Sequence, residues 1–178
     1  MVYSEHKHKH NFFAWAAARA AQRGFTSVKN LQDALEESDI EEFTESKQLV
    51  NDFDTSHKLW CNSICDYLIG KGVQNVSYGR AAKLVAVYLK GMVVIEDLSS
   101  DLARIIHPPI DRILLQNLSN KNEVSLENKK LFKSSNWTQL IQSEYFVLVS
   151  ALREVISDEP FWKIEEYWTV TSKQPLRA

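Results

Sequence analysis

Along nearly the whole chain, apolar residues recur every three or four positions, the period of helices that bury one face. The segment FFAWAAARAAQRG is rich in alanine. It is preceded by Asn11, suited to an N-cap, and is ended by Gly24. Thr26 or Ser27 opens a short helix carrying Val28, Leu31 and Leu35, and the acidic stretch 36–45 reads as a solvated connection with room for a turn of helix. Asp54 or Thr55 caps a helix over about 56–69, which Gly70 and Gly72 end. Ser77 caps a longer helix whose buried stripe is Tyr78, Ala82, Val85, Leu89 and Met92. A short helix follows from Ser99 or Ser100 through Ile106, and Pro109 suits the first turn of another running to Leu118. Residues 119–136 are polar and rich in Lys and Asn and read as loop; 137–156 form a strong amphipathic helix; Pro160 opens a last short helix, PFWKIEEYW; and TVTSKQPLRA is expected to fray. The runs 92–95 and 144–149 could pass for strands, but their length and flanking caps favour helix. There is no internal repeat. The expected fold is all-α, a single domain of about eight helices.

At 178 residues the chain is long enough to bury a full core. No apolar stretch approaches the roughly 18 residues of a membrane span, because Lys90 and Gly91 interrupt the longest one. The opening MVYSEHKHKH has no apolar run of the secretory kind, so a cytoplasmic location is expected. With 21 Lys and Arg against 23 Asp and Glu, a nucleic-acid binder of this net charge must gather its cations on one face. Cys61 and Cys65, four apart, are expected to be reduced thiols.

Phosphate-binding glycine loops, a Gly-x-Ser-x-Gly elbow and paired Cys-x-x-Cys are all absent from the sequence. His6, His8 and His10 alternate with lysines; such a tract can bind a transition metal, but a flexible solvated arm is expected. His57, Cys61 and Cys65 share a helix face, where core packing outweighs a zinc site lacking a fourth ligand. The aromatic residues at the two ends of the chain either fill a core or offer a stacking surface for a base. Arg80, Lys83 and Lys90 fall near one stripe, which reads as a solvated basic face or as a site. Asp111 falls at about the third position of the helix opened by Pro109, where the positive end of the helix dipole favours a carboxylate whether or not it has a function.

The order of these pieces resembles the helix-hairpin-helix base-excision DNA glycosylases, and most closely their compact 8-oxoguanine branch. The resemblance rests on Gly79-x-x-x-Lys83 followed, 28 residues after the lysine, by Asp111 in His107-Pro108-Pro109-Ile110-Asp111, and it covers roughly residues 70–118. Val76-Ser77-Tyr78-Gly79 departs from the family's Pro-Gly-x-Gly core, and the cysteine quartet for an iron–sulfur cluster is missing.

The resemblance implies two helical lobes around a cleft: a middle lobe of about 27–118, and a second made of the N-terminal helix and 137–168. It implies excision of a damaged or modified base, in repair or against phage DNA, by a monomer that needs no cofactor or metal and acts on DNA with a flipped base. Asp111 would stabilise charge on the sugar, and Lys83 would attack C1′ to form a Schiff base. Lys71, Ser77, Tyr78, Gly79, Arg80, His107 and Arg112 would contact DNA. Trp15, Trp60, Trp162 and Trp168 are the candidates for the wall of the base pocket. The alternative from a different class is a non-enzymatic all-α module that binds a protein partner.

Overall fold

A computed structural model describes residues 3–49 and 51–169. All regular structure among them is helical: α1 (Glu5–Gln22), α2 (Val28–Glu36), α3 (Ile40–Ser46), α4 (Phe53–Gly70), α5 (Tyr78–Leu89), a π-helical turn (Lys90–Val94), α6 (Asp101–Ile105), α7 (Arg112–Ser119), α8 (Leu126–Ser134), α9 (Gln142–Ile156) and a 3₁₀ segment (Phe161–Tyr167). None of these helices is long and apolar enough to cross a membrane.

Helix α5 is the axis of the fold. Only Arg80 and Val87 of its twelve residues escape burial. It packs on α1, α4, α2 and α9. The buried side of α1 is His10, Ala14, Ala17, Ala18 and Ala21, and the short alanine side chains permit close packing of neighbouring helices. The remaining elements, α7 on α8, α8 on α9, and the 3₁₀ segment on α6, α7 and α9, enclose the other side.

The connection between α4 and α5 is the best-defined turn in the chain. Gly72, at φ +73°, ends α4: its amide reaches the Ile69 carbonyl, and the Val73 amide reaches that of Leu68. This pair of bonds satisfies carbonyls that a helix end leaves open, and the left-handed backbone it requires favours glycine. Five residues later the Ser77 hydroxyl accepts the Arg80 amide and starts α5.

Several elements differ from expectation. Helix α1 starts seven residues early, capped by Ser4 rather than Asn11, so His6, His8 and His10 are helical and no arm is formed. The cause is packing: His10 is fully buried against Tyr88, and Lys7 pairs with Glu41. The acidic connection contains α3, held by buried Ile40 and Phe43. Helix α4 is capped by Asp52. Residues 126–134 are helix, not loop, because Phe132 anchors an otherwise polar segment. The amphipathic helix begins at Gln142 rather than 137, and α7 begins after Asp111 rather than at Pro109. Of the tail expected to fray, residues 170–178 lie outside the described residues.

Candidate active site

Two prolines keep residues 107–111 extended, and Pro108 and Pro109 have no amide to donate. The chain therefore enters α7 with Asp111 as N-cap. Its Oδ1 accepts the amides of Ile113 (3.0 Å) and Leu114 (3.1 Å). Oδ2 is left free of that duty and meets Lys83 Nζ at 2.8 Å. The lysine projects from the second turn of α5, so two groups 28 residues apart in sequence form one ion pair. Their exposures are only 6% and 4%, and no third group fits between them. The Trp168 indole donates to the same Oδ2 at 3.0 Å, and the Trp137 ring lies 5.0 Å from the ammonium.

Charge states follow from these contacts. Burial lowers the pKa of Lys83; the hydrogen bond and charge of Asp111 oppose that, while the Arg23 charge adds to it. Burial alone would raise the pKa of Asp111, but the hydrogen bond and charge of Lys83, the Leu114 amide and the Trp168 indole outweigh it and hold the carboxyl below its ordinary value. The 2.8 Å contact is that of an ammonium with a carboxylate.

The other residues singled out from sequence are scattered. Lys71 is exposed beside the Tyr67 ring. The Ser77 hydroxyl, besides capping α5, donates to the Thr138 carbonyl. Gly79 packs so tightly on 137–140 that a Cβ there would lie 1.9 Å from the Trp137 oxygen, and its amide is donated to Leu140. Arg80 stacks on Phe25. Arg112 is exposed at the start of α7. Trp15 is exposed on α1; Trp60 is buried with Phe43 and Phe53; Trp162 donates to the Leu98 carbonyl. Of the four candidate tryptophans, only Trp168 reaches the pair.

His107 turns away from Asp111 into a second buried assembly. Its Nε2 lies 2.9 Å from Asp54 Oδ1, and its Nδ1 lies 3.1 Å from the Tyr145 hydroxyl. That hydroxyl is 3.4 Å from His57 Nε2, and His57 Nδ1 is 2.9 Å from the Tyr78 hydroxyl. Arg153 grips both oxygens of Asp54, at 2.9 and 3.2 Å. The hydrogen bond from His107 and the partnership with Arg153 hold the Asp54 carboxyl well below its ordinary pKa. Burial holds both histidines below theirs, so the rings are neutral. One donor order satisfies every link: Tyr78 donates to His57, His57 to Tyr145, Tyr145 to His107, and His107 to Asp54. Cys61, expected to pack in the core with His57, does so, with Sγ 3.7 Å from Nδ1. Among the described residues, no three His, Cys, Asp or Glu side chains are grouped to hold a metal ion.

Trp137 and Arg23 were not anticipated. Neither lies in the segments that carry the motif, and only the packing of the 135–140 loop and of the end of α1 brings them near Lys83. Asp54, Tyr145 and Arg153 were missed for the same reason. No protein-family model, curated protein or solved structure matches the chain.

Proposed function

We propose that the chain is a DNA N-glycosylase in which Asp111 and Lys83 are the reacting groups. The observation that carries this reading is the ion pair itself: a lysine early in one helix and a carboxylate capping another are brought from distant parts of the chain to 2.8 Å. Oδ1 of Asp111 is tied to two amides, so the carboxylate keeps its direction when its partner leaves. A fixed anion suits the positive charge that develops on a deoxyribose as its base departs. Lys83 gives its proton to the leaving base. Its neutral amine then forms a bond to C1′ as the glycosidic bond breaks, and the Schiff base that follows permits strand cleavage. Admission of the nucleotide requires the pair to part and the Trp168 indole to swing off Asp111. The two-lobed arrangement about a cleft belongs to the same proposal.

A second reading draws on the tightness of the same contact. A closed, buried ion pair also serves as a fastener between α5 and α7 in a non-enzymatic module, with no substrate at all.

Borohydride reduction in the presence of DNA duplexes carrying oxidised, alkylated or otherwise modified bases separates the two. The glycosylase reading expects a covalent adduct that maps to Lys83 and is lost in Lys83→Gln, or base release that is lost in Asp111→Asn. If a broad panel gives neither adduct nor base release with folded protein, the pair is a fastener.

A further inference from the structure

Beside the ion pair lies a cavity of about 430 Å³, framed by the end of α1, the start of α7, the end of α8 and the loop that follows it. Its volume falls in the roughly 300–1,000 Å³ range of small-ligand sites. Leu115 and Phe132 form a buried apolar floor. Three exposed cations, Arg23, Arg112 and Lys133, come to it from three different elements. Among the described residues no carboxylate lines it and none of the three makes an ion pair. Converging like charges repel one another, and a concave wall focuses their field, so an anion is the natural occupant. Ser134, Ser135 and Asn136 add neutral hydrogen-bonding groups around the rim.

Trp137 belongs to both places. It lines this cavity, and its ring lies 5.0 Å from the Lys83 ammonium. An anion seated among the three cations is therefore one aromatic ring away from the buried pair.

We propose that this cavity binds the phosphodiester backbone of a nucleic-acid strand and so seats the nucleotide that faces Lys83 and Asp111. The proposal deepens the glycosylase reading and rests on it for the role of the seat, but not for its existence. Phosphate oxygens match forked guanidinium donors, and the neutral rim accommodates the sugar. The surrounding charge agrees. Residues 112–137 carry Arg112, Lys121, Lys129, Lys130 and Lys133 against only Glu123 and Glu127, in a chain of net charge −2.

The test is binding, without catalysis. A fluorescent duplex containing a tetrahydrofuran abasic analogue, which has no base to lose, is titrated by anisotropy over a range of salt. Wild-type protein should bind with a negative slope of log affinity against log salt. Arg112→Gln and Lys133→Gln should each shallow that slope by about 0.9, and the double variant by about twice as much. Arg23→Gln should do the same. Lys29→Gln/Lys163→Gln, which removes equal charge elsewhere, should leave the slope unchanged. All the substituted side chains are surface cations, and circular dichroism checks that each variant is folded. Absence of salt-dependent binding by wild type, or equal loss in the control, overturns the site. So does tighter binding of polyglutamate at equal charge concentration, lost in the same variants, which would assign the cavity to acidic proteins. Slope loss as expected, with no base release or adduct from any modified duplex, would keep the seat and remove the glycosylase reading.

Discussion

At the scale of single residues, Asp111 does two things with two oxygens: one caps α7 and the other holds Lys83. The substitution Asp111→Asn separates them, because asparagine caps a helix about as well as aspartate but carries no charge. It leaves an ammonium buried without a counter-ion, so we expect a loss of about 3–5 kcal/mol in urea unfolding at pH 7. Adding Lys83→Met should restore most of it. A double variant as unstable as the single one would mean that the charges are not coupled. The family resemblance singled out both members from sequence, but local rules placed Asp111 about three positions into a helix that it instead caps. Trp137, Arg23 and Trp168 acquire their relation to the pair only through loops and helix ends whose placement no local pattern dictates.

At the scale of elements, the helices read best from sequence were those with their own capping residues and apolar stripes. Ser77 was identified as the cap of α5, and the stripe assigned to that helix is buried in full. Helix α8 escaped, and α3 was expected as no more than a turn, because their polar segments are helical for tertiary reasons, each with few buried residues. The runs 92–95 and 144–149, ambiguous by composition, are both helical apart from Ile95, which follows the π-helical turn.

The glycine of the Gly79-x-x-x-Lys83 pattern has an element-level explanation. It is where α5 presses on the loop before α9, and any side chain would strike the Trp137 carbonyl. Gly79→Ala should therefore lower the thermal midpoint by forcing the two apart, at a cost of about 1–3 kcal/mol. Gly70→Ala, at the last residue of α4 where a Cβ meets nothing within 4 Å, should raise it through a stability gain of about 0.4–1 kcal/mol. Thermal melts of the two variants check both signs. Equal destabilisation would mean that the contact with Trp137 is not the constraint.

At the scale of the whole molecule, the buried histidines set the response to acid. His57 and His107 are uncharged in the fold, and burial holds their pKa below the roughly 6.5 of an unfolded chain. As pH drops below about 6.5, the unfolded chain takes up protons that the fold refuses. Stability therefore falls over the window between 6.5 and the lowered values, by up to about 1.4 kcal/mol per pH unit for each ring. Asp54 and Asp111, both depressed, contribute fully above about pH 4 and are lost only below it. Urea midpoints measured from pH 8 to 5 should decline through the histidine window; a flat profile would contradict neutral buried rings.

The donor order from Tyr78 to Asp54 makes this response a joint one. His57, Tyr145 and His107 each hand one hydrogen forward and receive one from behind, so none of the three can be turned around alone. A proton landing on His57 would occupy the ring nitrogen that now accepts from Tyr78, at the start of α5. One landing on His107 would do the same to Tyr145, on α9. Helices α5 and α9, which meet at His57, are thus made to register the same acidification together.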